Sequence, residues 1–349
     1  MRAVVTTFDR VRPHAAAGDD GVTVPDPAGR AAVVDVGSVR PWARFERRAM
    51  GSPLSLLVVG LDARTAEDAW RVASDDIEGS ETTMSRFRPA SELSRLCLLP
   101  GRALSVSPRL YRALAAARRA WRVTDGAFDP RVRSDLDRLG YAGAAVGDPV
   151  GVAAVEDRRS RPWLSAEPRS LQVAIAEPVD LGGIGNGLAL RWAWHALVRS
   201  TPGIVGALLD AGGDMMLGGL PAQGDRWEIR IDDPMAPGRP LAAVQMGGGA
   251  ISTSSSTMNR WAAADGSVVH HLIDPRTGSP ADRGILQVTV AGPDPAWTEV
   301  WCKVLYLAGA GHVEAEARRR GLAAWWVERD GTLRMTPLAR LATRWTTRD

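Results

Sequence analysis

His271 is the side chain of this sequence best suited to moving a proton. Imidazole titrates close to neutral pH, so it can take a proton from an attacking hydroxyl. If its segment is a strand, the neighbouring His270 points to the opposite face. Asp274 follows three positions later, directly before Pro275. It is a second candidate for acid–base chemistry, and the alternative is a carboxylate that stabilises a turn.

A glycine-rich stretch opens a predicted helix in the middle of the chain. Glycine lets the backbone approach a ligand closely, and the N–H groups at a helix start attract phosphate. The alternative is a turn that needs glycine only because its φ angles are positive. The spacing is not the GxGxxG fingerprint of a dinucleotide-binding βαβ unit. The glycines are Gly182, Gly183, Gly185 and Gly187.

Composition and charge indicate a globular protein and argue against several classes of partner. Apolar residues make up 45% and charged residues 24% of the 349 positions. This is the balance of a soluble domain, and no apolar run reaches the roughly 18 residues of a membrane helix. The formal charge is only +3, from 43 basic and 40 acidic residues, which argues against a nucleic-acid partner. Lys303 is the one lysine among those basic residues.

The cysteines and the first residues favour a cytoplasmic location. Cys97 and Cys302 form neither a disulfide framework nor a zinc signature, which fits a reducing compartment. The first twenty residues carry several charges and no apolar h-region, so we expect no export signal.

Residue patterns predict an α+β domain over residues 40–349, preceded by a disordered or loosely packed arm at 1–39. Buried strands are expected at 54–59, 206–209, 227–231, 241–246 and 286–291, and a closing strand pair at 323–327 and 333–335. Helical spacing favours helices at 63–78, 110–124, 186–198, 299–308 and 313–320. The stretch Ala142–Leu171 has no clear period, and we expect a surface insertion there.

Five segments together resemble one known family, the FAD:protein FMN transferases or ApbE family, from about Met50 to Gly309. Any one of them is a weak signal, but their common order is specific. The segments are Met50-Gly51-Ser52, Met84–Leu96, Thr124–Pro130, Val179–Gly187 with Asp210–Asp214, and His271–Gly278. The resemblance implies a T-fold-related mixed sheet with helices around a flavin-nucleotide cleft. It also implies transfer of the FMN half of FAD to a Thr or Ser of a target protein, with release of AMP.

The resemblance also assigns site residues, with two departures from the family pattern. Phe87 stands where the family usually has Tyr, and Asn186 stands where it usually has Lys or Glu. His271 and Asp274 match the family's catalytic segment. The positions matching the family's flavin contacts are Met50, Phe87, Ala127, Phe128, Asp129, Asp180, Asn186 and Leu272.

The predicted metal position departs most from the family. The family holds magnesium on a carbonyl near Gly183 and on an Asp…Thr set at the helix after the last core strand. Here that helix offers Glu299, the soft ligand Cys302, and Lys303. We therefore expect weak magnesium binding at most, with the Lys303 ammonium as the counter-charge of the pyrophosphate. The alternative is an ordinary Glu299–Lys303 pair on a helix surface.

Three functions remain open at this stage. The first is a flavin transferase with a protein acceptor. The second is a metal-independent enzyme of the same fold that acts on FAD or on a small biosynthetic substrate. The third is a non-catalytic flavin binder, against which the retained His271 and Asp274 argue. None of the three requires a nucleic acid or a membrane as partner.

Overall fold

The computed structural model describes residues 39–141 and 161–347. The predicted arm at residues 1–39 lies outside these ranges except for Val39. Residues 142–160 of the predicted insertion also lie outside them.

A mixed-order sheet of eight strands forms the centre of the molecule. Every strand pair in the described ranges is antiparallel. This confirms the predicted α+β class, because βαβ units would give parallel pairs. In spatial order the strands are β1 (Trp42–Ala49), β2 (Ser52–Val59), β6 (Gly206–Ala211), β7 (Asp214–Gly219), β10 (Gly249–Ser255), β15 (Ile285–Gly292), β16 (Ala323–Glu328) and β17 (Leu333–Met335).

Smaller sheets flank the central one. One sheet has the order β18–β9–β8, and another has the order β3–β5–β4. Two short hairpins, β11–β12 and β13–β14, complete the strands. Their bounds are β3 (Leu104–Ser105), β4 (Leu164–Glu167), β5 (Gln172–Ile175), β8 (Trp227–Asp232), β9 (Pro240–Met246), β11 (Arg260–Ala262), β12 (Val268–His270), β13 (Ile273–Asp274), β14 (Ser279–Pro280) and β18 (Thr343–Thr346).

Eight helices are described. Each of the five predicted helices is present, but the one predicted at 299–308 begins four residues earlier, at Pro295. Asp62, Ser107 and Asp294 each cap a helix by accepting a hydrogen bond from a backbone N–H of its first turn. The helices are α1 (Ala63–Met84), α2 (Glu92–Cys97), α3 (Pro108–Val123), α4 (Arg133–Arg138), α5 (Gly185–Ser200), α6 (Pro295–Ala308), α7 (Val313–Arg319) and α8 (Pro337–Ala342).

The central sheet is covered on both faces. Val58 and Leu209 belong to the larger core, on the side of helices α1, α5 and α6. Their neighbours Val59 and Leu208 belong to a second core, which includes residues of β8 and β9. Successive side chains of a strand point to opposite faces. Strands buried on both faces therefore appear in the sequence as nearly continuous apolar runs, as at 54–59, where Ser55 is the one polar residue.

Residues 161–171, the described part of the predicted surface insertion, are part of the folded domain, so the prediction is wrong for them. Strand β4 falls within residues 161–171 and pairs with β5, and Trp163 is 2% exposed. The sequence prediction missed this hairpin because its apolar residues are few and Arg-rich segments flank them. None of the helices in the two described ranges is long and apolar enough to span a lipid bilayer.

Candidate active site

Three predicted segments, distant in sequence, meet in one cleft that is partly open to solvent. The cleft lies beside the loop after α3, the loop before α5, the segment entering β13 and the second half of α6. Its walls include eight of the predicted site residues: Ala127, Phe128, Asp129, Asp180, Gly183, His271, Leu272 and Lys303.

Two of the predicted glycines permit close contact between elements. A Cβ added to Gly187 would lie 2.4 Å from the Cα of Ala296, so glycine lets α5 touch the start of α6. A Cβ added to Gly183 would lie 2.7 Å from Cε2 of Phe128 and 3.2 Å from Cδ of Lys303. Neither glycine has a positive φ angle. The turn interpretation is therefore wrong for these two positions, which are glycine because space is lacking.

His271 is held as a neutral imidazole in the wall of the cleft. Burial, together with the charge of Lys303, lowers the pKa of His271 to about 3. The backbone at Met258 hydrogen-bonds the ring and works in the opposite direction. Nδ1 has no hydrogen-bond partner among the described residues. Since Nδ1 is buried and unpartnered, we assign the hydrogen bond to the backbone at Met258 to Nε2–H and the lone pair to Nδ1. With a pKa near 3, this nitrogen is a much weaker base than the near-neutral imidazole that the sequence analysis expects.

Asp274 does not line this cleft. Its carboxylate accepts hydrogen bonds from Nη2 of Arg276 at 2.8 Å and from Nη2 of Arg283 at 2.7 Å. It also accepts from the backbone N–H of Arg276 at 3.0 Å. The side chain is 5% exposed and borders a neighbouring surface groove. Of the two interpretations of Asp274, the geometry favours the turn-stabilising one.

The carboxylates of Asp129 and Asp180 are also engaged within the protein. Arg131 binds Asp129 through Nη2 at 2.6 Å, and both side chains are at most 2% exposed. Arg86 binds Asp180 through Nη1 at 2.7 Å, and the N–H of Gly182 donates to the same carboxylate. A buried carboxylate that already accepts several charged hydrogen bonds is a poor ligand contact. The structure therefore argues against the predicted polar contact between the Asp129 side chain and the flavin.

Three of the predicted contacts do not line the cleft. Phe87 is 55% exposed, and its ring centre is 5.9 Å from that of Tyr141, which lines the cleft. Met50 occupies the turn between β1 and β2 with a φ of 51°. Asn186 donates through Nδ2 to Asp214 at 3.2 Å.

Glu299, one of the two predicted metal ligands, forms an ion pair with Lys303. Nζ of Lys303 lies 3.3 Å from Oε1 of Glu299, and Oε2 of Glu299 accepts the N–H of Gly187 at 2.8 Å. Burial raises the pKa of Glu299 to about 7, against the effect of Lys303. The pKa of Lys303 is also raised: burial opposes its charge, but Glu299 and Asp214 together outweigh this effect.

These residues do not fit a magnesium ion. Magnesium prefers oxygen ligands of net negative charge, but an ammonium stands beside the Glu299 carboxylate here. Cys302 donates its thiol to the carbonyl of Ser252 at 2.9 Å, and burial raises its pKa. A protonated thiol is no magnesium ligand. Within residues 39–141 and 161–347, no three His, Cys, Asp or Glu side chains are grouped so that they could hold a metal.

Sequence reasoning missed several residues of the site. Arg86 holds Asp180 and lies 5.4 Å from the ring centre of Tyr141. Its position inside the second motif was the one signal available for it. Tyr141 stands at the edge of the predicted insertion and had no signal. The apolar lining was missed as well, although two of its residues, Ile273 and Pro275, lie inside the fifth motif. The missed residues are Val132, Leu136, Ile273, Pro275 and Leu307.

Comparison with known proteins identifies the family. The sequence profile of the ApbE family matches residues 50–326. The chain belongs to the ApbE family. The FAD:protein FMN transferase of Salmonella typhimurium is 28% identical over 301 residues, covering 82% of this chain and 84% of that protein. The enzyme of the same name from Escherichia coli K12 is 25% identical over 301 residues, with the same coverage.

Solved ApbE structures confirm the fold. The ApbE protein of Thermotoga maritima superposes with a TM-score of 0.76 at 22% identity, covering 87% of this chain and all of that one. The flavinyl transferase ApbE of Pseudomonas stutzeri gives 0.72 at 21% identity, covering 89% and all of it. The predicted ApbE-like architecture is thereby confirmed.

Proposed function

We propose that this protein transfers the FMN half of FAD to a Thr or Ser hydroxyl of an acceptor protein and releases AMP. The observation that carries the proposal is the neutral imidazole of His271, with Nδ1 unpartnered in the described structure, in one cleft with Gly183 and Lys303. The named relatives of the ApbE family, which are FAD:protein FMN transferases, support it.

The reaction balances with the groups present. The acceptor hydroxyl oxygen forms a bond to the phosphorus of the FMN half. The bond between that phosphorus and the bridging oxygen breaks, and AMP leaves with the bridging oxygen. Nδ1 of His271 takes the hydroxyl proton after the negative charge of the bound pyrophosphate has raised the pKa of the imidazole. General-base catalysis also requires the hydroxyl at hydrogen-bond distance from Nδ1. Phosphoryl transfer otherwise depends on positioning and on positive charge near the phosphates.

The remaining site residues have distinct roles in this proposal. Phe128 and Leu272 form apolar walls of the cleft, and Phe87 with Tyr141 forms an aromatic rim on which a flat ring can stack. Asp180 acts through Arg86 and Gly182, which it holds in place. Ala127 and Asp129 contribute wall surface, while Met50 and Asn186 are outside the lining. Asp274 positions the segment that carries His271.

A cytoplasmic setting is part of the proposal. Cys97 and Cys302 are both unpaired and buried, which fits a protein made in a reducing compartment.

The direct test is to incubate the purified full-length protein with FAD and a cell extract that contains acceptor proteins. AMP is measured by chromatography, and covalent flavin by fluorescence on a denaturing gel and by mass spectrometry of the labelled peptide. AMP equal to covalent flavin on Thr or Ser supports the transferase. AMP with free FMN instead assigns a hydrolase that uses water. Bound FAD with no AMP under any condition assigns a non-catalytic flavin binder.

A further inference from the structure

At the position where the family pattern implies a magnesium ion, this protein has a lysine side chain. Lys303 reaches from the second half of α6 to the backbone of Gly183, and both residues line the cleft. The stem of Lys303 packs so closely there that a Cβ on Gly183 would meet its Cδ at 3.2 Å and its Cε at 3.5 Å. The site thus presents an ammonium where the family pattern implies magnesium.

We propose that Lys303 supplies the positive charge on the pyrophosphate of FAD, so that this protein binds FAD and transfers FMN without a divalent cation. The inference rests on the proposed function, because it concerns how the same cleft holds the same dinucleotide.

The charge inventory of the cleft supports this role. The lining residues with ionisable side chains are Asp129, Tyr141, Asp180, His271 and Lys303. Burial keeps His271 neutral near pH 7, and the two aspartates are paired with arginines. Among the lining residues that the structure describes, Lys303 is therefore the one side chain that brings a positive charge. A dinucleotide pyrophosphate carries two negative charges and needs such a group.

Two carboxylates stabilise the ammonium of Lys303 in the structure. It donates to Oε1 of Glu299 at 3.3 Å, and Asp214 also stabilises its charge. A bond of this length is at the weak end of charged hydrogen bonds, which are usually 2.7–2.9 Å. The four-carbon stem of lysine is flexible, so the ammonium can turn from Glu299 to a phosphate oxygen. The same ammonium repels a dication, which explains why the ion and the lysine exclude each other.

The alternative is that Glu299 and Lys303 form a purely structural pair. The two interpretations differ in which ligands respond to the charge. A phosphate counter-charge affects FAD, which has a pyrophosphate, and spares riboflavin, which has the same ring system and no phosphate. A structural pair affects both ligands equally or neither.

The experiment measures binding of FAD and of riboflavin to the purified full-length protein by calorimetry in excess EDTA, with and without added magnesium. Lys303→Met keeps the length of the side chain and removes its charge. Lys303→Arg keeps the charge. Arg318→Met is the matched control, because it makes a cation-to-Met change on the exposed face of α7, away from the cleft. Thermal melting confirms that each variant is folded.

We expect the wild type to bind FAD in EDTA and to change less than about twofold on addition of magnesium. Lys303→Met should weaken FAD binding about 10- to 100-fold and riboflavin binding less than about threefold. Lys303→Arg should retain most of the affinity, and Arg318→Met should match the wild type. AMP release by the wild type in EDTA should follow the same pattern.

Other outcomes overturn the inference in distinguishable ways. Wild-type binding and AMP release that require magnesium show that the transferase proposal stands and that the role of Lys303 is wrong. Equal losses of FAD and riboflavin affinity in Lys303→Met assign a structural pair. Absence of FAD binding under every metal condition removes both proposals. If Lys303→Met does not fold, two other measurements decide the inference. They are the magnesium dependence of the wild type and FAD binding by Lys303→Arg in EDTA.

Discussion

The ammonium of Lys303 and the carboxylate of Glu299 lie 3.3 Å apart, one turn of α6 from each other, with side chains 20% and 2% exposed. The second oxygen of Glu299 accepts the N–H of Gly187 at the start of α5. The pair therefore connects two helices beside the cleft. A carboxylate at a helix N-terminus is favoured by the partial charge of the helix, which helps to offset the cost of burial.

Lys303→Met should lower the free energy of unfolding by about 2–4 kcal/mol, because it leaves the buried Glu299 without its cation. The double variant Glu299→Gln/Lys303→Met should recover at least half of this loss, since the amide oxygen still accepts the N–H of Gly187. Urea unfolding of the two single variants and the double variant measures the coupling. Additive effects would show that the pair contributes no stability.

His271→Gln should reduce transfer about 100- to 10,000-fold, because the variant lacks a base with a lone pair in the cleft. FAD binding and the melting temperature should change little. His195→Gln is the matched control, since His195 lies exposed on α5 outside the cleft. A His271→Gln enzyme with activity within threefold of the wild type would remove His271 from the mechanism.

Acidification should destabilise the protein through His271. The pKa of His271 is about 3 when folded, against 6.5 as the ordinary value. The unfolded chain thus takes up the proton first as the pH falls below about 6.5. The contribution of His271 to the free energy of unfolding should fall by about 1.4 kcal/mol per pH unit from there toward the folded pKa. Urea unfolding at pH 7.5, 6.0 and 5.0 measures this slope, which should be shallower in His271→Gln. Equal slopes would contradict the neutral buried imidazole.

Gly183→Ala should weaken FAD binding about tenfold or more, because the new methyl group would lie 2.7 Å from Phe128 and must displace cleft walls. Gly185→Ala is a matched control two positions away, since its Cβ would meet nothing closer than Cβ of Leu181 at 3.9 Å. Calorimetric titration with FAD compares the two. Equal affinities would show that FAD does not contact the cleft wall at Gly183.

Asp129→Asn should act on stability and hardly on ligand affinity. It neutralises the carboxylate that pairs with Arg131, which is 1% exposed, and should cost about 3 kcal/mol of unfolding free energy. Riboflavin affinity, measured on the folded fraction, should stay within about threefold. Asp125→Asn, on the exposed turn nearby, should leave both quantities unchanged. A stable Asp129→Asn protein that no longer binds flavin would restore the predicted ligand contact.

The sequence alone was enough for the fold class, for the family and for which segments meet. The nearly continuous apolar run at 54–59 indicates a strand covered on both faces, and the structure shows the two cores on either side. The motifs around Phe128, Asp180 and His271 carry chemistry only if they converge, and they do. These features are local in sequence or shared with the family, so they can be recognised without coordinates.

The tertiary structure decided which of the candidate groups are available. Asp180 is paired with Arg86, which lies 94 residues away in sequence, and Asp274 accepts hydrogen bonds from Arg283. No spacing rule gives such partners, because they depend on how distant elements pack. The glycine at 183 likewise has its reason in the packing of Lys303 against it. Residue types indicate which chemistry is possible, whereas burial and through-space charge determine which side chains remain available for it.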